Sequence, residues 1–335
     1  MRRITKASIG LAISIVFLLI PILLMLKPQA SSVDILESNN GLQGDSTSVT
    51  SSKHHRIHIP VLMYHDFEDK LNSHANVRPI NFAKQLNYLK TKGYHTITDQ
   101  DLTLYFEGKE PLPAKPLMIT IDDGYESNYD SAYPILKKIG MKATIFVIVN
   151  SVGKTPGFIK HFGWKQAKEM YDSGLIDIED HTFNLHEDIP QTTRRFFFLH
   201  KTKMVPALTN KMTVNGKLET EADYEKRVHD DLLLAKNQIE QHVGNHVDGI
   251  AYPYGATNKT VVKIAAQIGL KYGYVINEKI ANIYPNDLLI DRISVDDNDT
   301  GFSIDQEISQ RMTGKIPFGK KIEGKRMTAT KVSHI

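Results

Sequence analysis

Residues 117–125 read Leu-Met-Ile-Thr-Ile-Asp-Asp-Gly-Tyr, an apolar run that ends on two adjacent carboxylates and a glycine. Functional groups of α/β sheets and barrels collect at the carboxyl ends of strands. Two consecutive side chains leaving a strand point in different directions, so Asp122 and Asp123 have room for two tasks, one on a metal ion and one as a base. Taken alone, the segment reads as well as an Asp-Gly turn with a helix-capping carboxylate. A second strand end alters that balance. Residues 176–186 read Ile-Asp-Ile-Glu-Asp-His-Thr-Phe-Asn-Leu-His. On a helix, His181 and His186 would lie about 140° apart, and on a strand they would face opposite sides; an irregular loop can aim both at one ion. Two neutral imidazoles and one carboxylate make the three-ligand, open arrangement of catalytic zinc. A histidine pair by itself is more often structural or superficial. Set beside Asp122 and Asp123 on another strand end, this pair reads as a metal site.

The elements that must position these residues alternate between strand and helix patterns. Short apolar or β-branched runs mark strands over Pro60–Tyr64, Tyr94–Thr98, Leu117–Ile121, Ala143–Val149, Leu175–Ile178, Gly249–Tyr252, Tyr272–Ile276 and Leu288–Val295. Between them, Phe82, Leu86 and Leu89 recur at helical spacing behind a cap at Asn81, and further helices are expected over Ser131–Ile139, Trp164–Tyr171, Asp223–Val243 and Lys259–Ile268. Alternation of this kind predicts an α/β fold, a distorted (β/α) barrel of about seven or eight mostly parallel strands. Residues 188–218, with Arg194-Arg195-Phe196-Phe197-Phe198, read as an insertion or long loop.

The chain has 335 residues, a net charge of +3 and no cysteine. The charge gives no reason to expect nucleic acid as a partner. The lack of cysteine excludes disulfides, thiolate ligands, a Cys nucleophile and a lipid-attachment cysteine, so any metal must be held by His and carboxylate. Arg2, Arg3 and Lys6 precede an apolar run from Ile9 to Leu26, which is near the lower length for crossing the hydrocarbon core of a membrane. Residues 1–28 therefore read as a signal-anchor with a cytoplasmic N-terminus, or as a signal peptide; Pro28-Gln29-Ala30 is a poor cleavage site. The expected location is the extracellular face of the membrane, or secreted and associated with the cell surface. Residues 29–56, rich in Ser, Asn, Gly and Thr, read as a flexible linker. A catalytic domain over 57–300 and a weakly structured basic extension over 301–335, with seven Lys/Arg against three Asp/Glu, complete the organisation.

Asp122-Asp123-Gly124 behind its apolar strand resembles the first motif of the polysaccharide deacetylases, carbohydrate esterase family four. His181-Thr182-x-x-x-His186 resembles their second motif and Ala251-Tyr252-Pro253-Tyr254-Gly255 their third. Many members space the two histidines four apart. The five-residue spacing with Asn-Leu before the second His, and the opening Pro60-Val61-Leu62-Met63-Tyr64-His65-Asp66, are closer to the branch that deacetylates poly-β-1,6-N-acetyl-D-glucosamine in biofilms. The resemblance covers roughly Ile57 to Val295.

The resemblance implies Asp123, His181 and His186 as metal ligands, Asp122 as general base and His65 as general acid. It implies a divalent cofactor, zinc first, with nickel, cobalt or iron(II) accepting the same ligands. A bound cation of this kind lowers the pKa of its water toward about 7 and polarises the acetyl carbonyl. An oxyanion donor, by resemblance the Tyr254 N–H, is typically worth about 3 kcal/mol. Substrate- and oxyanion-side candidates are Tyr254, Pro253, Tyr125 and Arg292. The wider family carries an Arg two residues before the third-motif proline, where this chain has Ala251; Arg292 is the candidate substitute for orienting the base, with a structural surface role equally open. Glu179 and Asp180 are unusual before His181, and Asp180 reads as solvated rather than as support for a ligand. Tyr64, Tyr125, Tyr252, Tyr254 and Trp164 are candidates for stacking on sugar rings, with core packing the better reading except for Tyr125 and Tyr254. His54, His55, His58 and His161 are read as non-catalytic.

Three functions fit these residues. The first is hydrolysis of N-acetyl groups on extracellular poly-β-1,6-N-acetyl-D-glucosamine, an amino-sugar polysaccharide, with the membrane and the exopolysaccharide synthesis or export machinery as partners. The second is the same chemistry on peptidoglycan or chitin-like β-1,4 chains. The third, a carbohydrate-binding domain without catalysis, has no need of a base, an acid and three ligands together.

Overall fold

The computed structural model describes residues 56–314 other than 72, 197 and 198. The anchor or signal segment expected over 1–28, nearly all of the linker over 29–56 and the end of the basic extension lie outside those residues. Among the described residues, no helix is long and apolar enough to cross a membrane.

The described chain opens with β1 (Ile57–Ile59) and β2 (Val61–Tyr64), followed by α1 (Pro79–Thr91), β3 (His95–Ile97), α2 (Asp99–Phe106), β4 (Pro116–Ile121), α3 (Tyr133–Ile139) and β5 (Ala143–Val147). Next come α4 (Trp164–Asp172), β6 (Ile176–Asp180), β7 (Asp188–Phe196), β8 (Leu199–Pro206), β9 (Thr213–Val214), β10 (Lys217–Leu218) and α5 (Glu221–Val243). The last elements are β11 (Gly249–Ala251), α6 (Lys259–Gln267), β12 (Tyr272–Ile276), β13 (Ala281–Ile283), β14 (Ile290–Ser294) and α7 (Gly301–Met312). Seven parallel strands close into a barrel in the order β2-β14-β12-β11-β6-β5-β4, β4 returning to β2, and β3 extends the sheet from β4. Every expected strand is present, and seven of the eight form the barrel.

Side-chain alternation along each strand separates two cores. Leu117, Ile119 and Ile121 of β4 pack outward with Phe82, Leu86, Leu136 and Ile239 of the helices. Met118 joins Val61, Phe146, Ala251, Tyr274 and Ile290 in a second cluster on the other face. On β6, Ile176 and Ile178 face outward, so Asp177 and Glu179 point inward. These two are buried, and so is Asp180, contrary to its reading as solvated. Asp180 instead accepts a hydrogen bond from Thr182 N at 2.6 Å and shapes the loop that follows.

The barrel is irregular at one seam. β5 and β6 share five residue pairs, whereas β6 and β11 share only Ile250 with Asp180. Side chains fill that seam. Glu179 Oε2 accepts from Gly249 N at 2.7 Å, and Asp99 lies so close that a Cβ on Gly249 would come within 2.0 Å of its Oδ2.

Three expectations are corrected. Helix α1 starts at Pro79 behind Arg78, not behind Asn81, because proline fits the first helical turn; the Asn81 amide donates to Asp297 Oδ1 instead. Residues 188–218 are two antiparallel hairpins, β7–β8 and β9–β10, rather than a long loop. The second turns on Asn215 and Gly216, both with positive φ, as a two-residue hairpin demands. Gly301–Met312 is not weakly structured. It is a helix capped by Thr300, burying Ile304 and Ile308 against α1, and a Cβ on Gly301 would approach Tyr88 Cβ to 2.4 Å.

Candidate active site

The carboxyl ends of β2, β4, β6 and β11 bring the motif residues to one end of the barrel. The β2–β4 ladder continues past the strands: Asp122 N donates to Tyr64 O at 3.0 Å, setting His65 and Asp122 side by side. On the opposite side of the site, His181 N donates to Val147 O at 3.0 Å. Three non-glycine residues here adopt left-handed backbone conformations: Asp123 (φ 76°), Thr182 (φ 72°) and Tyr254 (φ 60°). Such conformations cost of order 1–3 kcal/mol each and persist where surrounding structure over-determines them. A left-handed β-branched residue such as Thr182 is rare. At Asp123 the backbone leaves the extended conformation of β4 and carries the carboxylate to the two imidazoles. Gly124 follows with φ 78°, and a Cβ there would meet Val147 Cγ1 at 3.0 Å.

Asp123, His181 and His186 each offer a ligand atom within 4.8 Å of the others, the one such group among the described residues. His181 Nε2 and His186 Nε2 lie 3.3 and 3.2 Å from Asp123 Oδ1. That oxygen is buried without a hydrogen bond of good geometry. His181 Nδ1 sits 2.6 Å from Ala251 O. A carbonyl only accepts, so Nδ1 carries a proton, and in the neutral ring this leaves the lone pair on Nε2, the tautomer a metal ligand requires. The donor set therefore fits a divalent cation. Burial works to raise the Asp123 pKa, but the two imidazoles outweigh it and hold it well below the usual carboxylate range. His186 is lowered by burial, while His181, equally buried, is raised by Asp123 and Asp122.

The loop between the two histidines is pinned along its length. Asp231 of α5 accepts from Phe183 N and Asn184 N, both at 2.9 Å, and Thr182 Oγ1 accepts from Leu185 N at 3.0 Å. Tyr254 Oη donates to His186 O at 2.7 Å, and the two rings lie 4.9 Å apart.

Asp122 is gripped from inside the barrel. Arg292 reaches it from β14 with Nη1 at 2.7 Å from Oδ1 and Nη2 at 2.8 Å from Oδ2. Nη1 also donates to Thr120 Oγ1 at 3.3 Å. Arg292 is fully buried, so a surface role for it is excluded. Burial favours protonation of Asp122, yet Arg292, then His181 and His65, lower its pKa below the ordinary value. His65 Nε2 stands 3.8 Å from Asp122 Oδ2, its side chain 22% exposed.

The aromatic candidates separate. Tyr64 and Tyr252 are fully buried and unable to stack on a sugar. Trp164 is turned to the outer face, its ring stacked on His242 of α5 at 4.6 Å, and is not brought to the site. Tyr125 and Tyr254 are at the site, Tyr254 41% exposed. Tyr125 packs against His161, and burial followed by the Asp123 charge raises its phenol pKa, keeping it protonated. Sequence reasoning missed Asp231, Ser127 and Asn128, which no motif spacing singles out, and assigned no role to Asp66.

The polysaccharide deacetylase family model matches residues 109–273. YxkH of Bacillus subtilis, named for that family, is 30% identical over 247 residues, 74% of this chain and 73% of the relative. A poly-β-1,6-N-acetyl-D-glucosamine N-deacetylase of Staphylococcus aureus is 27% identical over 267 residues, 78% of this chain and 83% of its own. The structure of IcaB from Ammonifex degensii superimposes with a TM-score of 0.60 at 26% identity, covering 75% of this chain and 97% of that one. With 30% identity to YxkH over 74% of the chain, the family model matching residues 109–273 and a barrel that superimposes on IcaB, the chain belongs to the polysaccharide deacetylase family and is a polysaccharide N-deacetylase.

Proposed function

We propose that the protein removes N-acetyl groups from poly-β-1,6-N-acetyl-D-glucosamine outside the cell, using a divalent cation held by Asp123, His181 and His186. The observation that carries the reading is the convergence of those three ligand atoms beside a separate, arginine-bound carboxylate. When bound, such an ion, zinc first and nickel, cobalt or iron(II) as alternatives, supplies Lewis-acid activation of water and of the amide carbonyl. Asp122 takes the proton released as water adds to the acetyl carbon, and Arg292 keeps that carboxylate ionised and fixed in direction. The Tyr254 N–H, presented by the left-handed turn after Pro253, donates to the developing oxyanion. His65 hands a proton to the departing sugar amine, which is a poor leaving group until protonated. Acid–base assistance of this kind contributes roughly 10²–10⁴-fold. Tyr125, with its phenol protonated, and the exposed ring of Tyr254 form the walls against which an acetylated sugar packs.

The β-1,6 linkage is supported by the Staphylococcus aureus relative and by the five-residue spacing of the histidines. The apolar run over Ile9–Leu26 behind three cations supports action at the outer face of the membrane or after secretion, beside the machinery that exports the polymer. The test is acetate release from defined β-1,6- and β-1,4-linked N-acetylglucosamine oligomers, with chelator and with metal restored. Release from the β-1,6 series that stops with chelator and returns with metal is expected. Turnover of β-1,4 or peptidoglycan strands with β-1,6 oligomers untouched would overturn the substrate assignment.

A further inference from the structure

The segment that carries His65 is fastened to the segment that carries the acidic pair by four hydrogen bonds in sequence. Tyr64 O accepts from Asp122 N at 3.0 Å. His65 O accepts from Asn128 Nδ2 at 2.7 Å. Asp66 Oδ1 accepts from Ser127 Oγ at 2.5 Å, and Ser127 Oγ in turn accepts from Phe67 N at 3.1 Å. The Asp66 carboxylate is saturated: Phe67 N donates to Oδ1 at 2.8 Å, and the Asn76 amide donates to Oδ2. Ser73 N and Oγ donate to Asn76 Oδ1 at 3.0 and 2.7 Å, which leaves the Asn76 NH₂ to face Asp66. Asp66, Asn76, Ser127 and Asn128 are all buried.

Ser127 and Asn128 stand where the chain leaves the acidic pair for α3, and that passage is a π-helical turn over Asn128–Ala132, with Tyr133 N donating to Asn128 O. Single π turns are uncommon and are frequent at functional sites. The wider turn takes in one more residue than an α-turn. Ser127, the residue before the turn, and Asn128, its first residue, both set polar side chains against residues 65–67. The contacts fall on backbone and on Asp66, leaving the His65 imidazole free toward the substrate side, 3.8 Å from Asp122.

We propose that Ser127, Asn128 and Asp66 are positioning residues for the proton donor: they lock the His65 backbone to the element that bears the base, so that acid and base keep one separation through the reaction. This rests on the reading of His65 as the acid. A donor misplaced by about 1 Å costs on the order of 10²-fold, so a hydrogen bond to the His65 carbonyl has a large lever on rate.

The test exploits leaving-group chemistry. An amide needs its nitrogen protonated to leave, whereas the phenolate of 4-nitrophenyl acetate leaves without a proton, so loss of acid catalysis slows only the first. Full-length Asn128→Ala, Ser127→Ala and His65→Ala proteins are compared on N-acetylglucosamine oligomers and on the aryl acetate, reading only chelator-sensitive turnover and the bound metal. His65→Ala is expected to lower amide kcat by about 10²–10⁴-fold and the aryl ester far less. Asn128→Ala is expected to lower amide kcat by on the order of 10–100-fold with KM and metal content held, and to spare the ester. Ser127→Ala, which removes one hydroxyl and endangers folding least, follows with a smaller loss. Adding Asn128→Ala to His65→Ala costs nothing further. Equal loss on amide and ester, or losses that multiply with His65→Ala, would reduce these residues to structural supports. Should His65→Ala itself slow both substrates alike, the acid assignment falls first and the inference with it.

Discussion

Asp122 and Asp123 are neighbours in the chain with opposite surroundings. Asp122 points into the barrel and shares both its oxygens with a guanidinium, while Asp123 turns out through a left-handed backbone toward two imidazoles. Those partners support the roles proposed for the two carboxylates. A carboxylate whose two oxygens are both held by Arg292 is a poor third ligand but, with a lone pair still open on each oxygen, a well-aimed base, and a buried oxygen between two Nε2 atoms is the reverse. Asp122→Asn is therefore expected to lower kcat by about 10²–10⁴-fold with metal content nearly unchanged, whereas His181→Ala loses both. Metal analysis beside acetate release decides it, and equal metal loss in the two variants would exchange the two roles. Arg292→Lys keeps the charge and loses the two-pronged grip that a planar guanidinium provides. A fall in kcat of about 10–100-fold at nearly constant KM is expected, read from steady-state kinetics. An unchanged kcat would show that the charge alone matters.

Among the elements, the seam between β6 and β11 is where regular pairing gives way. Backbone pairing there is reduced to a single residue pair, and Glu179 substitutes a side-chain acceptor for a missing ladder bond to Gly249. That irregularity has a consequence for the site, since His181 leaves β6 and takes its orientation from Ala251 O at the end of β11. Gly249→Ala drives a methyl into Asp99 and is expected to destabilise by about 1–3 kcal/mol. Part of that loss should return in the Gly249→Ala/Asp99→Ala double variant, measured by urea unfolding as a double-mutant cycle. Strict additivity would mean that the two side chains do not meet.

Across the whole molecule, the inner end of the barrel is unusual in holding Asp99, Asp177 and Glu179 together in burial. Desolvation is the main cause that pushes all three pKa values up, Asp177 to about 7, with Asp248 and Asp101 adding like charge around Asp177. Backbone N–H groups of Gln100 and Ile178 pull the other way. A carboxyl whose folded pKa stands above its unfolded value contributes stability that is fully present below pH ~4 and lost as pH rises through about 7. Asp177→Asn removes that dependence. The stability of the variant relative to the parent is expected to rise between pH 5 and 7, by up to roughly 1.4 kcal/mol per pH unit. Taking the difference between the two proteins cancels contributions from the metal site. A flat difference across that range would show that Asp177 does not titrate there.

Much of this was legible in the chain. Apolar runs ending in polar residues marked the strands, because a strand buried on both faces reads as near-continuous Val, Ile and Leu. The acidic pair and the two histidines could be nominated from their types and spacing, and the structure brings ligand atoms of Asp123, His181 and His186 within 4.8 Å of one another. Two further features were present as local signals and were passed over: Asn215-Gly216 encodes a hairpin turn, and Ile304 and Ile308 behind Thr300 encode a capped helix that the basic composition of the tail obscured. What local pattern could not supply was the set of partners distant in the chain. Asp231 lies 48 residues from the loop it clamps, and Arg292, 170 residues from Asp122, could be nominated only through the family resemblance. Nothing near Ser127 and Asn128 announces that they face residue 65. Which strand comes next to which around a closed barrel decides these meetings. That order is set by how all the helices and strands pack at once, so residue types and spacing could nominate the chemistry while only the tertiary structure assigned each reacting group its neighbour.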